Sequence, residues 1–214
     1  MKCILVAAAI SAAALPAFAP AARAQAFGQF TGADVLQVNG HETGIYLVTS
    51  DNVLGLLGQL RLSFYPGVDF GFQGGLSRLH YGSSDRTLVR LGTDFKVATA
   101  RASASFPVDL ALGGALGVET SDDYHVLTLM PQAVVSRTWT VGQSMNITPF
   151  AGSGLSFRNV DAGPTHETNF SVPLRLGADM RVMTGVRITA ELQLQVGSSF
   201  GDNVGLLTGV NLPF

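Results

Sequence analysis

The chain has 214 residues, of which 13 are Lys or Arg and 15 are Asp or Glu, a charged fraction about half that of an ordinary soluble domain. With 25 Gly and 47% hydrophobic residues, it is neither a disordered polyelectrolyte nor a basic nucleic-acid binder. The one Cys, Cys3, lies close to the amino end, so no disulfide framework, zinc cluster or catalytic thiol is expected in the body of the chain.

The amino end reads as a secretory signal over 1–24. Met1 and Lys2 give a positive start, Ile4 to Ala14 an apolar centre, and Ala22-Arg23-Ala24 a small-x-small cleavage site. Cleavage is expected after Ala24, with Ala26 as the alternative, leaving one domain over 25–214. Removal of Lys2 and Arg23 leaves 11 positive and 15 negative side chains, so bulk charge does not favour anionic partners. Pro16 and Pro20 interrupt the apolar start, and no later window of ~18 apolar residues reads as a membrane helix.

The rest of the chain alternates with period two, which is strand periodicity. Phe30 to Asn39 is a weakly patterned candidate first strand, with a loop from Gly40 to Asn52 after it. Leu54 to Phe64 comes next. In the run from Val68, Phe70, Phe72 and Leu76 oppose Asp69, Gly71, Gln73 and Ser77, and in the next Val89, Leu91, Phe95 and Val97 oppose Arg90, Gly92, Asp94 and Lys96. Leu110, Leu112, Leu116 and Val118 then oppose Asp109, Gly113, Gly117 and Glu119. Tyr124 to Trp139 is blurred by Pro131, which predicts a bulge. Met145 to Phe157, Phe170 to Val182, Val186 to Val196 and Val204 to Phe214 complete the series. Turns at Pro66-Gly67, Phe106-Pro107, Gly142 and Met183-Thr184-Gly185 are read as short. Those at Gly82 to Arg86, Thr120 to Asp123, Asn159 to Thr168 and Gly197 to Asn203 are read as longer and as lying on the outer side.

One face of the eight clearest strands carries no charge. The other carries seven positive and six negative side chains: Arg61, Asp69, Arg90, Asp94, Lys96, Asp109, Glu119, Arg158, Arg175, Asp179, Arg181, Arg187 and Glu191. A face mixing Gly and Ser with both signs of charge suits a confined interior, and a sheet whose other face meets lipid must close on itself. The fold expected is a closed antiparallel up-and-down transmembrane β-barrel of ten strands, with eight as the alternative. Alternation continues to Phe214, and this ending resembles the C-terminal strand of Gram-negative outer-membrane β-barrel proteins. The resemblance implies insertion in the outer membrane after export, contact with outer-membrane lipid, and recognition of Phe214 by the barrel-assembly machinery; a monomer is expected. Tyr65 and Trp139 suit an interfacial aromatic belt.

The near balance of inward charge predicts a lumen filled by ion pairs, because a barrel of this size lies near the filled end of the range. A turn centred on Met183 would set Asp179 opposite Arg187 and Arg175 opposite Glu191. Arg90 and Asp94 complete the set of lumen ion-pair candidates. His41, His80, His125 and His166 are expected on outer loops, but no His-x-x-x-His spacing links them, and neither a metal nor a cofactor is expected. The main reading is a non-enzymatic outer-membrane barrel with a structural, surface-interaction or narrow-passage role. An outer-leaflet lipid or peptide hydrolase is the enzymatic alternative, using His80 with Ser83, Ser84 and Asp85, or His125 with Asp122 and Asp123. A soluble secreted lipid-binding β-barrel is a second alternative.

Overall fold

A computed structural model describes residues 31–81, 84–142, 145–162, 165–183, 185–197 and 204–214. The signal expected over 1–24 lies outside the described residues. Twelve strand segments succeed one another in the order β1 (His41–Ser50), β2 (Val53–Tyr65), β3 (Val68–Tyr81), β4 (Ser84–Ala100), β5 (Asp109–Ser121), β6 (Tyr124–Ser136), β7 (Trp139–Val141), β8 (Met145–Gly154), β9 (Ser156–Ala162), β10 (Thr165–Met183), β11 (Val186–Val196) and β12 (Val204–Pro213).

These segments make ten staves. β6 and β7 form one, interrupted at Arg137 and Thr138, and both pair with β8. β8 and β9 form another, interrupted at Leu155, whose amide donates to the Pro131 carbonyl at 3.0 Å. The interruption arises where Pro131, lacking an N–H, cannot complete the regular ladder. Each stave is antiparallel to its neighbours, and β12 pairs with β1 from Glu42↔Pro213 to Ser50↔Gly205, which closes the barrel.

Period two does the sorting. Phe72 is 49% exposed and Leu176 52%, whereas Arg175 is 3% and Glu191 1%. The outward face is thus the uncharged one. Leu174 is exposed, Leu192 half-buried and Asp179 buried. Exposed Tyr65 and Trp139 stand at the end of the barrel where β1 starts and β12 ends. We call that end proximal and the opposite end distal.

Three sequence expectations are corrected. First, residues 31–39 form no strand; the first stave is His41–Ser50, inside the stretch read as a loop, because Glu42, Gly44, Tyr46 and Val48 alternate inward against Thr43, Ile45 and Leu47. Second, two of the distal connections are short: β1 and β2 are joined through Asp51 and Asn52, and β5 and β6 through Asp122 and Asp123. The strands themselves run on, to 17 residues in β4 and 19 in β10, well past the ~9 to 11 that a bilayer requires. The connection read as a short turn at Phe106-Pro107 in fact runs from Arg101 to Val108. Third, the β10–β11 register lies two residues from the one expected: Arg175 faces Gln193, Asp179 faces Thr189 and Arg181 faces Arg187. The hairpin closes through Gly185 at φ 86° with a bulge between Arg181 and Met183, not around Met183; a tight hairpin needs positive φ, which Gly adopts without a Cβ clash.

Candidate functional site: a filled lumen and its proximal mouth

The inward residues fill the barrel at successive levels. Between the middle of the barrel and the proximal mouth, Arg61 is enclosed, with Nη2 2.5 Å from Asp69 Oδ1 and 2.8 Å from Asp94 Oδ1. Gln73 Nε2 donates to Asp94 Oδ2 at 2.8 Å. Arg90 pairs with Glu119 at 3.1 Å on the neighbouring strand. Arg90 and Asp94 therefore each take another strand's residue as partner. Arg175 makes a two-pronged contact with Glu191, Nε to Oε1 at 2.7 Å and Nη2 to Oε2 at 2.6 Å. Glu191 is diagonal to Arg175 in the observed register, a separation long side chains span. Arg187 does not meet Asp179: its Nη2 holds both Glu42 oxygens, at 2.5 and 2.6 Å, on β1. Asp179 instead accepts from Thr189 Oγ1 at 2.5 Å and from the Gly32 amide at 3.2 Å. Buried ions demand such partners, since an unpaired one is strongly destabilising.

Tyr46 closes another part of the wall. Its ring lies flat across Gly44 and Gly209, where any Cβ would collide with it, and its hydroxyl bonds Asn211 and, at 3.1 Å, Gln59 Oε1.

The segment before β1 enters this lumen from the proximal end. Lys96 Nζ donates to Thr31 Oγ1 at 3.1 Å, to the Gly32 carbonyl at 3.0 Å and to the Asp34 carbonyl. The Ala33 amide donates to Ser136 Oγ at 3.0 Å and the Leu36 amide to Asp69 Oδ2 at 3.3 Å. Ala33 packs against Ala111, Val134 and Phe150. Residues 31–36 thus form an internal plug, with the chain's only lysine after residue 2 as its main anchor. Around it the proximal mouth keeps a cavity of about 760 Å³, lined by Arg101, Arg181 and Arg187 among others.

At the distal end the sense of the alternation reverses. Val53, Leu79 and Leu88 point inward and pack with Tyr124, and Val126 and Val160 are buried on facing positions. Outside them stand Arg78, His80, His125, Asp161 and His166. The strands' overshoot explains this inversion: beyond the apolar band the outer face meets water, and the interior is closed with hydrocarbon.

Three histidines lie at this distal rim. His80 Nδ1 is 2.6 Å from Asp85 Oδ1, a carboxylate that Arg78 also engages. His125 bonds Thr120 Oγ1 at 2.7 Å and His166 lies 3.2 Å from Asp161. His41 is a correction: it belongs to the proximal rim, stacked on Phe214 with ring centroids 5.5 Å apart, while the Phe214 amide donates to its carbonyl at 3.3 Å. Ser83, a candidate nucleophile beside His80, lies outside the described residues. Among the described residues no group of three or more His, Cys, Asp or Glu is placed to hold a metal.

Sequence reasoning found the inward charges but missed Glu42, Tyr46 and the plug. Glu42 and Tyr46 carried a signal, the alternation of 42–48, that lay inside a stretch read as loop. The plug carries none in its own sequence, because its bonds are to residues 33 to 147 positions away.

No family model matches the chain, and no curated protein matches it. Among solved structures it is similar to the β domain of the Bordetella autotransporter BrkA, at 12% identity over 83% of this chain and all of that one, TM-score 0.48. It is also similar to an outer-membrane channel from Pseudomonas putida, at 11% identity over 85% and 98%, TM-score 0.46. The N-terminal β-barrel domain of Pseudomonas aeruginosa OprF gives 12% identity over 83% and 98%, TM-score 0.35. At these scores the likeness is loose. The barrel's own surfaces are informative: an uncharged outward band and a sheet with no open edge are what a strand barrel needs to cross hydrocarbon. In architecture the chain is a closed ten-stranded antiparallel barrel.

Proposed function

We propose that this chain is an integral outer-membrane barrel that works as a sealed body, acting at its two rims and through its outer wall, not as an open passage. The observation that carries this reading is the filling of the lumen at three levels: the plug of residues 31–36, the ion-paired middle and the apolar distal cap. The proximal mouth keeps a cavity of about 760 Å³, whereas the space beside Arg158 and Arg175 deeper in the lumen is about 20 Å³. Single-channel recording on the refolded protein in a planar bilayer tests the reading. The expected trace is flat; steady conductance overturns it.

The start of β1 and the end of β12 lie together at the proximal rim, which on this reading faces the periplasm, with the histidine-bearing rim outside. Phe214, outward and exposed beside His41, is the group presented to the barrel-assembly machinery. Closure of β12 on β1 leaves no sheet edge for a second copy to complete, which supports a monomer. We read the rim as non-catalytic: the His80–Asp85 pair has Arg78 as its other partner, and on this reading lipid A and peptide substrates remain unchanged on incubation with the protein.

A further inference from the structure

The charges around the proximal mouth are unequally engaged. Arg61 is held by Asp69 and Asp94, and Arg187 by Glu42. Lys96 is bound up with the plug, with Asp69 3.6 Å away. Arg101 and Arg181 line the same cavity, and among the described residues neither guanidinium has a carboxylate within 4.0 Å. The position of Arg181 sharpens the imbalance. It faces Arg187 directly across the β10–β11 hairpin, and like charges directly opposed on one face of a sheet destabilise the pair. Glu42 neutralises Arg187 alone. Of the carboxylates lining the mouth, Glu42 and Asp69 are engaged, and Asp109, which accepts from the Ala102 amide at 2.9 Å, keeps its charge. Asp34 and Asp109 share the mouth with Arg101 and Arg181 but, among the described residues, neither comes within 4.0 Å of those guanidinium groups.

We propose that the proximal mouth is a binding site for a small organic anion, its carboxylate or phosphate groups received by Arg101 and Arg181 and its carbon skeleton lying against Val35, Leu36 and Pro213. The cavity, about 760 Å³, falls within the usual volume of small-molecule sites. Guanidinium is the group of choice for either anion, since its planar fork gives two parallel charge-assisted hydrogen bonds. The anion also relieves the opposition between Arg181 and Arg187, so binding gains from a repulsion already built into the empty barrel. The site opens to the rim where β1 starts and β12 ends, and its ligand comes from the aqueous side there.

Isothermal titration of the refolded full barrel in an uncharged detergent tests this, with citrate as the carboxylate probe and fructose 1,6-bisphosphate as the phosphate probe. One saturable site is expected for at least one probe, and the stronger probe identifies the anion class. Arg181→Gln and Arg101→Gln should each weaken it roughly tenfold or more, the loss of a charge-assisted contact, while Arg78→Gln at the distal rim leaves it unchanged. Heat-modifiable migration on gels checks that each variant is folded. Absence of saturable heat with either probe, or binding that survives both mouth substitutions in folded protein, overturns the proposal. Conductance through the barrel would overturn the sealed reading and leave this site standing.

Discussion

The middle of the lumen and its distal end are both closed, by opposite chemistry. In the middle, Arg61, Arg90 and Arg175 are buried and each is matched by a carboxylate; at the distal end Val53, Leu79 and Leu88 are equally buried with no charge among them. The outer solvent accounts for the difference. Where the wall touches lipid, its outward positions must be apolar and the opposite sign of the alternation falls inside, so the interior is polar whether or not polar groups are the better filling. Where strands project past the band, the outside is wetted and carries Arg78, His80 and Asp161. The inside is then free to pack hydrocarbon, the less demanding filling because it needs no partner. The switch between Leu76 and Arg78 on the outward face of β3, matched by Ser77 and Leu79 inside, marks where the apolar band ends.

Breaking the charged middle should have the largest effect. Arg61→Met leaves Asp69 and Asp94 buried without their shared guanidinium, and urea unfolding of the protein in vesicles should show a loss of about 3 to 5 kcal/mol. A loss under about 1 kcal/mol would mean that water, and not Arg61, satisfies those carboxylates. In the cap, Leu88→Ala removes packing and leaves no ion orphaned, and the same measurement should give about 2 to 4 kcal/mol, within the range for buried leucines. On the outer wall, Leu192→Arg puts a charge against acyl chains and should cost about 2 to 4 kcal/mol if near the bilayer midplane; an unchanged unfolding midpoint would show that this face does not meet lipid. The smallest effect belongs to Arg78→Gln. Its pair with Asp85 is on the wetted outer face, where solvent and salt screen such pairs, so the urea unfolding midpoint should stay unchanged.

Much of this molecule was legible residue by residue. Phe72, Leu174 and Leu176 are outward and Arg175, Asp179 and Glu191 inward, as the alternation required, and nine staves follow from Val53 onward as the alternation places them, while the tenth is His41–Ser50 and not 30–39. Partner choice was less legible. Arg175 and Glu191 meet as expected, though through a diagonal and not a facing pair; Asp179 and Arg187 do not meet, because one bulge and a turn at Gly185 shift the hairpin by two residues. His41 was misplaced for a related reason: with the first strand set at 30–39, everything up to Asn52 was assigned to the wrong end.

The sequence by itself determined the parity of each residue, hence which side meets lipid and which is shut in, since side-chain direction along a strand is a local property of period two. Only the tertiary structure decided which charge meets which, that residues 31–36 lie inside the barrel, and that two arginines at the mouth have no carboxylate within 4.0 Å among the described residues. Those facts depend on strand register and on contacts between residues far apart in the chain, and a shift of two positions preserves every face while exchanging every partner.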